Sequence, residues 1–100
     1  MKHKLLPLSE TMHYILLALR TPKHGYAIMQ EVQEMSEMTV ILAPGTLYGA
    51  LDNLSKHHWI KQVDIMDRRK IYHITHEGLE VLEHEKKRLN HILSLYEMED

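Results

Sequence analysis

From Ser9 to Arg20 the apolar residues fall at Met12, Ile15, Leu16 and Leu19, the i, i+3, i+4, i+7 spacing of one helical face. Ser9 stands where a side-chain oxygen caps the first turn. "TPKHG" breaks this helix through Pro22 and Gly25, and a second periodic run follows at Ile28, Val32 and Met35, which predicts a helix over 24–36. The β-branched Thr39, Val40 and Ile41 predict a short extended piece in the connection. Pro44 opens a third helix, because a proline in the first turn lacks only an N–H that has no helical partner there. Leu47, Leu51 and Leu54, with Ala50, form its inward stripe.

Beyond Trp59 the period changes. "WIKQVDIM" and "KIYHIT" are two β-rich runs separated by "DRR", which predicts a β-hairpin with a basic tip. Neither Asn-Gly nor Asp-Gly marks the turn, so its type stays open. From Thr75 to about Glu97 a last helix is predicted, with Thr75 as N-cap and Glu77 and Glu80 at the positive end of its dipole. Leu79, Leu82, Lys86, Leu89, Leu93 and Tyr96 recur at heptad-like spacing, and Val81, Ile92 and Leu95 add a second apolar edge. That is more apolar surface than one stripe of the first helix covers, which points to a second copy of the chain.

The fold class is therefore mainly α with a small β-hairpin: a winged helix-turn-helix, residues 1–74, plus a long C-terminal dimerisation helix, residues 75–100. Helices two and three match a helix-turn-helix pair whose second helix enters a DNA major groove, and the basic hairpin reaches phosphates or an adjacent minor groove. The face of helix three opposite the leucines carries Gly45, Gly49, Asp52, Asn53 and Lys56, with Thr46 and Tyr48 on its flanks.

Composition, hydropathy and charge adjust this picture. A chain of 100 residues with 44% hydrophobic content is the size of one small domain, only marginally stable alone, for which a partner chain helps. With no cysteine, a disulfide framework, a thiolate metal site and a thiol nucleophile are excluded, and a reducing, cytoplasmic setting is expected. The N-terminal apolar run is too short for a signal peptide, and no stretch approaches the roughly 20 apolar residues of a membrane span. The net charge of −2 argues weakly against nucleic acid, but the charges are segregated. Residues 44–74 set Lys56, Lys61, Arg68, Arg69 and Lys70 against Asp52, Asp64 and Asp67, whereas residues 75–100 are strongly acidic.

Three blocks in order, "LSETMHYILLALRTPKHGYAIMQEV", "APGTLYGALDNL" and "DRRKIYHITHEGLEVL", resemble the successive signatures of the PadR family of bacterial transcriptional regulators, and together they cover nearly the whole chain. The resemblance implies a homodimeric winged-helix regulator, usually a repressor, with Thr75 to Glu99 as the dimer helix. It implies a DNA-backbone position for Tyr14, a place in the block opening the recognition helix for Thr46 and Tyr48, and the wing signature for Arg68, Arg69 and Lys70. Gly49 stands where many members have proline, which implies that position 49 lies in the first turn. Members that bind flat drugs between subunits use a tryptophan on the C-terminal helix, and the one tryptophan here is Trp59.

The expected DNA-binding residues are thus Tyr14, Thr46, Tyr48, Gly49, Asn53, Lys56, Arg68, Arg69 and Lys70, and the expected dimer residues Leu79, Leu82, Leu89, Leu93 and Tyr96. Asn53 suits an adenine edge and Lys56 a phosphate. Asp52 is given no role. Arg69 is favoured over Arg68, since only one of two neighbours points straight at the duplex. For Tyr14, a phosphate hydrogen bond and simple packing weigh evenly, while Tyr26 and Tyr72 read as core and Trp59 as a packing anchor. Among nine histidines no spacing marks a metal site, but His57 and His58 beside Lys56 and Lys61 predict DNA affinity that rises on mild acidification. Expected partners are double-stranded DNA on a pseudo-palindromic operator and a second copy of the chain, with room for a small-molecule effector. No cofactor, metal or membrane is expected, and without a nucleophile constellation or phosphate loop neither is enzymatic activity. The rival reading is a winged-helix protein-interaction module that does not bind DNA.

Overall fold

The computed structural model describes residues 3–98, so Glu99, the expected end of the last helix, lies outside the described residues. The element order is α1 (Glu10–Ala18), β1 (Lys23–His24), α2 (Gly25–Met35), α3 (Pro44–Lys56), β2 (Ile60–Met66), β3 (Arg69–Ile74) and α4 (His76–Tyr96). Among the described residues four helices carry one antiparallel sheet in the order β1-β3-β2. The Ser9 and Thr75 hydroxyls cap α1 and α4 as expected, accepting from Met12 N–H at 3.1 Å and Gly78 N–H at 3.0 Å.

Two local expectations change. Residues 39–43 form no strand, and Lys23 of the expected break and His24, expected at the start of a helix, pair instead with Tyr72 and Ile71 of β3. The turn after α1 thereby becomes the third strand of the sheet, and α2 begins only at Gly25.

Both helices of the helix-turn-helix end without glycine. After α2, Glu37 N–H bonds Glu34 O and Met38 N–H bonds Gln33 O; after α3, His58 N–H bonds Ser55 O and Trp59 N–H bonds Leu54 O. These are Schellman closures, which need a left-handed residue just past the helix. Glu37 (φ 51°) and His58 (φ 62°) fill that position, each carrying the steric cost that glycine avoids.

The core is built by Ile15, Leu16 and Leu19 of the α1 segment, Ile28 and Val32 of α2, the leucine stripe of α3, and Trp59, Ile60, Ile74, Val81 and Leu82 around the sheet and the start of α4. Met12, Met29 and Met35 pack against it, as their role of filler requires. One glycine is fixed by packing: a Cβ at Gly78 would lie 2.2 Å from Trp59 O and 2.6 Å from Ile74 Cγ1. The first turn of α4 therefore rests directly on the backbone where α3 meets the wing.

Glu85 is fully buried in α4. It accepts from Leu8 N–H at 2.7 Å, and from Arg88 Nε at 2.8 Å and Nη2 at 3.0 Å, so one carboxylate joins the N-terminal segment to α4. Burial pushes its pKa up, but the Arg88 and Leu8 hydrogen bonds and the nearby positive charges of Arg88 and His13 outweigh it and hold it below the ordinary value. Past this point α4 leaves the domain. The long axis of the molecule reaches 56 Å against 29 and 21 Å for the others, and Leu89, Ile92, Leu93, Leu95 and Tyr96 stand exposed on the projecting half.

Candidate nucleic-acid interface

The leucines of α3 are buried, and the opposite face of that helix is open. Thr46, Gly49, Asp52 and Lys56 are exposed and Asn53 is half-exposed, so one helix face presents a threonine, a glycine, a carboxylate, an amide and an ammonium group. Gly49 is the sixth residue of α3 rather than part of its first turn, which corrects the position implied by the family pattern. An added Cβ there would meet nothing within 4 Å. No packing among the described residues explains a glycine in the middle of a helix, where it costs about 0.5–1 kcal/mol relative to alanine.

The wing turns at Asp67 and Arg68, between the paired residues Met66 and Arg69. Both turn residues are left-handed, Asp67 at φ 50° and Arg68 at φ 66°, as a two-residue type I′ hairpin requires, and this answers the question the sequence left open. Aspartate tolerates that conformation, whereas arginine is an uncommon choice for it. On the outer strand a bulge lies between Gln62 and Asp64, and such an irregularity twists an unpaired edge away from further pairing.

Between the wing and the helices lies a cleft of about 420 Å³, lined by His24, Gly25, Tyr26, Tyr48, Arg68, Arg69, Lys70 and Tyr72. Two chain segments, 24–26 and 68–72, and Tyr48 of α3 thus converge on one space with three cations and no carboxylate in its lining. Arg68 and Arg69 both line it: the left-handed turn redirects Arg68, so strand alternation does not separate the two neighbours. Tyr48 reaches across from α3 to the start of α2, where its hydroxyl would stand 2.6 Å from a Cβ on residue 25. Glycine at 25 is what lets this phenol close the floor of the cleft. Burial, with the nearby Tyr48 phenol and Asp52 carboxylate, pushes the Tyr72 phenol above its ordinary pKa, so Tyr72 is a neutral hydrogen-bonding group at physiological pH.

His24 and Tyr26 are the residues sequence reasoning missed. Tyr26, expected in the core, is 60% exposed, and its hydroxyl accepts from Gln30 Nε2 at 3.3 Å. His24 Nδ1 accepts from Ala27 N–H at 3.4 Å, capping α2, and its Nε2 lies 3.3 Å from Arg69 Nη1. The signal in the sequence was their place in the "HGY" block at a helix start, where backbone N–H groups and side chains meet anions.

The remaining expected residues fall elsewhere. Tyr14 is half-buried against the core, and Trp59 is buried with the His3 and His57 rings at 4.8 and 5.7 Å. His57 Nδ1 lies 2.8 Å from Asn53 O, so that ring bonds its own helix end. His58 lines a separate groove with Lys61, His73 and His76. Among the described residues no cluster of three or more His, Asp or Glu is placed to hold a metal ion. Of the expected dimer residues, Leu82 packs in the chain's own core, while Leu79, Leu89, Leu93 and Tyr96 remain exposed. Among the described residues no helix is long and apolar enough to cross a membrane.

Comparison with known proteins gives a consistent picture. The model of the transcriptional regulator PadR-like family matches residues 15–84. A solved PadR family transcription regulator from Clostridium difficile is 29% identical, with a TM-score of 0.76 over 87% of this chain and 94% of that one. A transcriptional regulator from Clostridium thermocellum, 24% identical, shares the fold with a TM-score of 0.73 over 86% and 88% of the two chains. An uncharacterized 37.1 kDa protein in a transposon of Streptomyces fradiae is 36% identical over 64 residues, and this chain spans only 18% of its length.

Proposed function

The chain belongs to the PadR-like family of transcriptional regulators, and from that premise we propose that it binds operator DNA as a homodimer and represses transcription by occluding a promoter. The observation that carries the reading is the cationic cleft beside the open face of α3. Asn53 and Thr46 face base edges in the major groove, Gly49 lets the helix approach, and Lys56 and the wing cations meet phosphates. Tyr48 and Tyr14 add hydroxyls at the backbone. A two-fold dimer presents two such helices to a pseudo-palindromic site.

The exposed half of α4 supports the dimer. Leu89, Ile92, Leu93, Leu95 and Tyr96 form an apolar surface that stays exposed among the described residues, and two such surfaces form a helical interface when they meet. Leu93→Glu would then turn the dimer into a monomer in sedimentation equilibrium. A small-molecule effector would act by favouring one inter-subunit geometry over another, which changes the spacing of the two recognition helices.

The test is fluorescence anisotropy of the protein against its own promoter duplex and a scrambled duplex at two salt concentrations. Tight, salt-sensitive binding that prefers the promoter is expected. Dimerisation without DNA binding at low salt would replace this reading with that of a protein-interaction module.

A further inference from the structure

We infer that His24 is a positioning residue for the wing: it holds the Arg69 guanidinium in the cleft until a DNA phosphate takes over, and its protonation strengthens phosphate binding there. This rests on the DNA-binding reading of the cleft.

Two N–H donors contest one lone pair of the His24 ring. His24 Nδ1 faces Ala27 N–H at 3.4 Å, and Nε2 faces Arg69 Nη1 at 3.3 Å. Neutral imidazole has one accepting nitrogen, and arginine keeps its protons, so the two contacts cannot both be hydrogen bonds at once. With the proton on Nε2, the ring caps α2 and turns a donor toward Arg69. With the proton on Nδ1, it holds Arg69 and turns a donor toward the helix. Both distances lie at the long end of the hydrogen-bond range, as two contacts sharing one acceptor would.

A phosphate oxygen in the cleft resolves this conflict. Arg69 donates to the phosphate and His24 Nε2–H donates beside it; in the neutral ring Nδ1 is left to cap α2, and in the protonated ring Nδ1–H gives up that cap while Nε2–H keeps the phosphate. The phosphate also reverses the effect of protonation. In the free protein, protonated His24 faces Arg69 directly, with Arg68 and Lys70 of the wing in the same lining. With phosphate between them, that repulsion becomes attraction, so phosphate binding and proton binding favour each other.

Protonation sets Nδ1–H against Ala27 N–H and a positive charge at the N-terminal end of α2, which oppose it, whereas no carboxylate lines the cleft to compete with the phosphate. Lys23, the neighbour on β1, is paired with Glu31 at 2.7 Å. Tyr26 of α2, Tyr48 of α3 and Tyr72 of β3 are phenols, and Asp52 of α3 acts on Tyr72 from outside the lining. The acid response expected of His57 and His58 is thereby assigned to a different histidine, because His57 is bound to its own helix end and His58 lies in another groove.

The experiment measures duplex affinity at fixed ionic strength across the range in which histidines titrate, roughly pH 5.5 to 8. Wild type, His24→Asn and His58→Asn are compared, with circular dichroism at each pH to confirm folding. Asparagine is a good N-cap, so α2 keeps its start. Wild-type and His58→Asn affinity should rise roughly three- to tenfold on acidification, within the tenfold per pH unit that one bound proton allows. His24→Asn should lose that rise. At the basic end of that range, nitrogen NMR of the His24 ring, which does not depend on a variant's folding, should show mixed tautomers in the free protein and Nε2–H on adding duplex. Equal pH slopes for wild type and His24→Asn, or an unchanged tautomer, would overturn the inference while leaving DNA binding intact. Absence of binding at every pH would overturn the DNA reading and this one with it.

Discussion

Arg68→Gly should make the protein more stable and a weaker DNA binder. Arg68 occupies the second position of the wing turn at φ 66°, a left-handed conformation that costs an L-residue about 1–2 kcal/mol. Glycine removes that cost but adds about 0.5–1 kcal/mol of unfolded-state entropy. The net gain is about 0.5–1 kcal/mol, or a melting temperature about 2–8 °C higher for a domain of this size. The same change removes a cation from the tip. If Arg68 meets a phosphate in each of two half-sites, the slope of log affinity against log salt becomes shallower by about 1.8. Raising salt from 50 to 200 mM would then weaken the variant roughly twelvefold less than wild type.

Thermal melts by circular dichroism and a salt series by fluorescence anisotropy measure the two effects separately. Arg68→Lys, which keeps both the charge and the strain, should leave both near wild type. A lower melting temperature for Arg68→Gly would mean that the arginine contributes packing greater than its strain. An unchanged salt slope would mean that the tip does not reach phosphate.

Gly49→Ala should raise stability by about 0.5–1 kcal/mol in a denaturant titration, since the new methyl meets nothing, yet weaken operator binding if α3 lies against bases. Gly78→Ala should cost more than about 3 kcal/mol or prevent folding, because its Cβ would press on Trp59 O, which is backbone. Acid should destabilise the protein in two stages. Burial chiefly lowers the pKa of His13, so the unfolded chain takes up that proton first and stability falls as pH drops below 6.5. Glu85, also held low, contributes fully above 4.5, and its share disappears below that value. Glu85→Ala should remove the lower stage from a pH series of melts and cost about 2–4 kcal/mol at neutral pH by stranding Leu8 N–H and Arg88.

The sequence made the helices readable because each carries its own period and, in three of four, its own start signal: Ser9, Pro44 and Thr75. It was less informative wherever a conformation is imposed by a neighbour. β1 has two residues and exists because β3 offers it a partner, so no pattern of its own could reveal it. The I′ turn is held by strands on either side of Asp67 and Arg68, neither of them the glycine that usually marks it. The cleft combines residues 24–26, 48 and 68–72, which only the folded chain brings together. Glu85 counted among the acidic residues of the last helix, and only its depth in the fold distinguishes it from the exposed Glu83.

These differences have a common location. α1 and α4, the scaffold, begin with good caps. The left-handed residues without glycine fall at the end of α2, at the end of α3 and at the wing tip, and the contested histidine joins α2 to that tip. A protein selected for stability alone would place glycine in at least some of these turns. Strain gathered on the elements proposed to face DNA, with conventional chemistry elsewhere, is the distribution expected when side-chain identity at those positions serves binding. Arg68 is the strongest case, because the conformation its backbone adopts disfavours arginine and the cleft its side chain lines is the one in which cations gather.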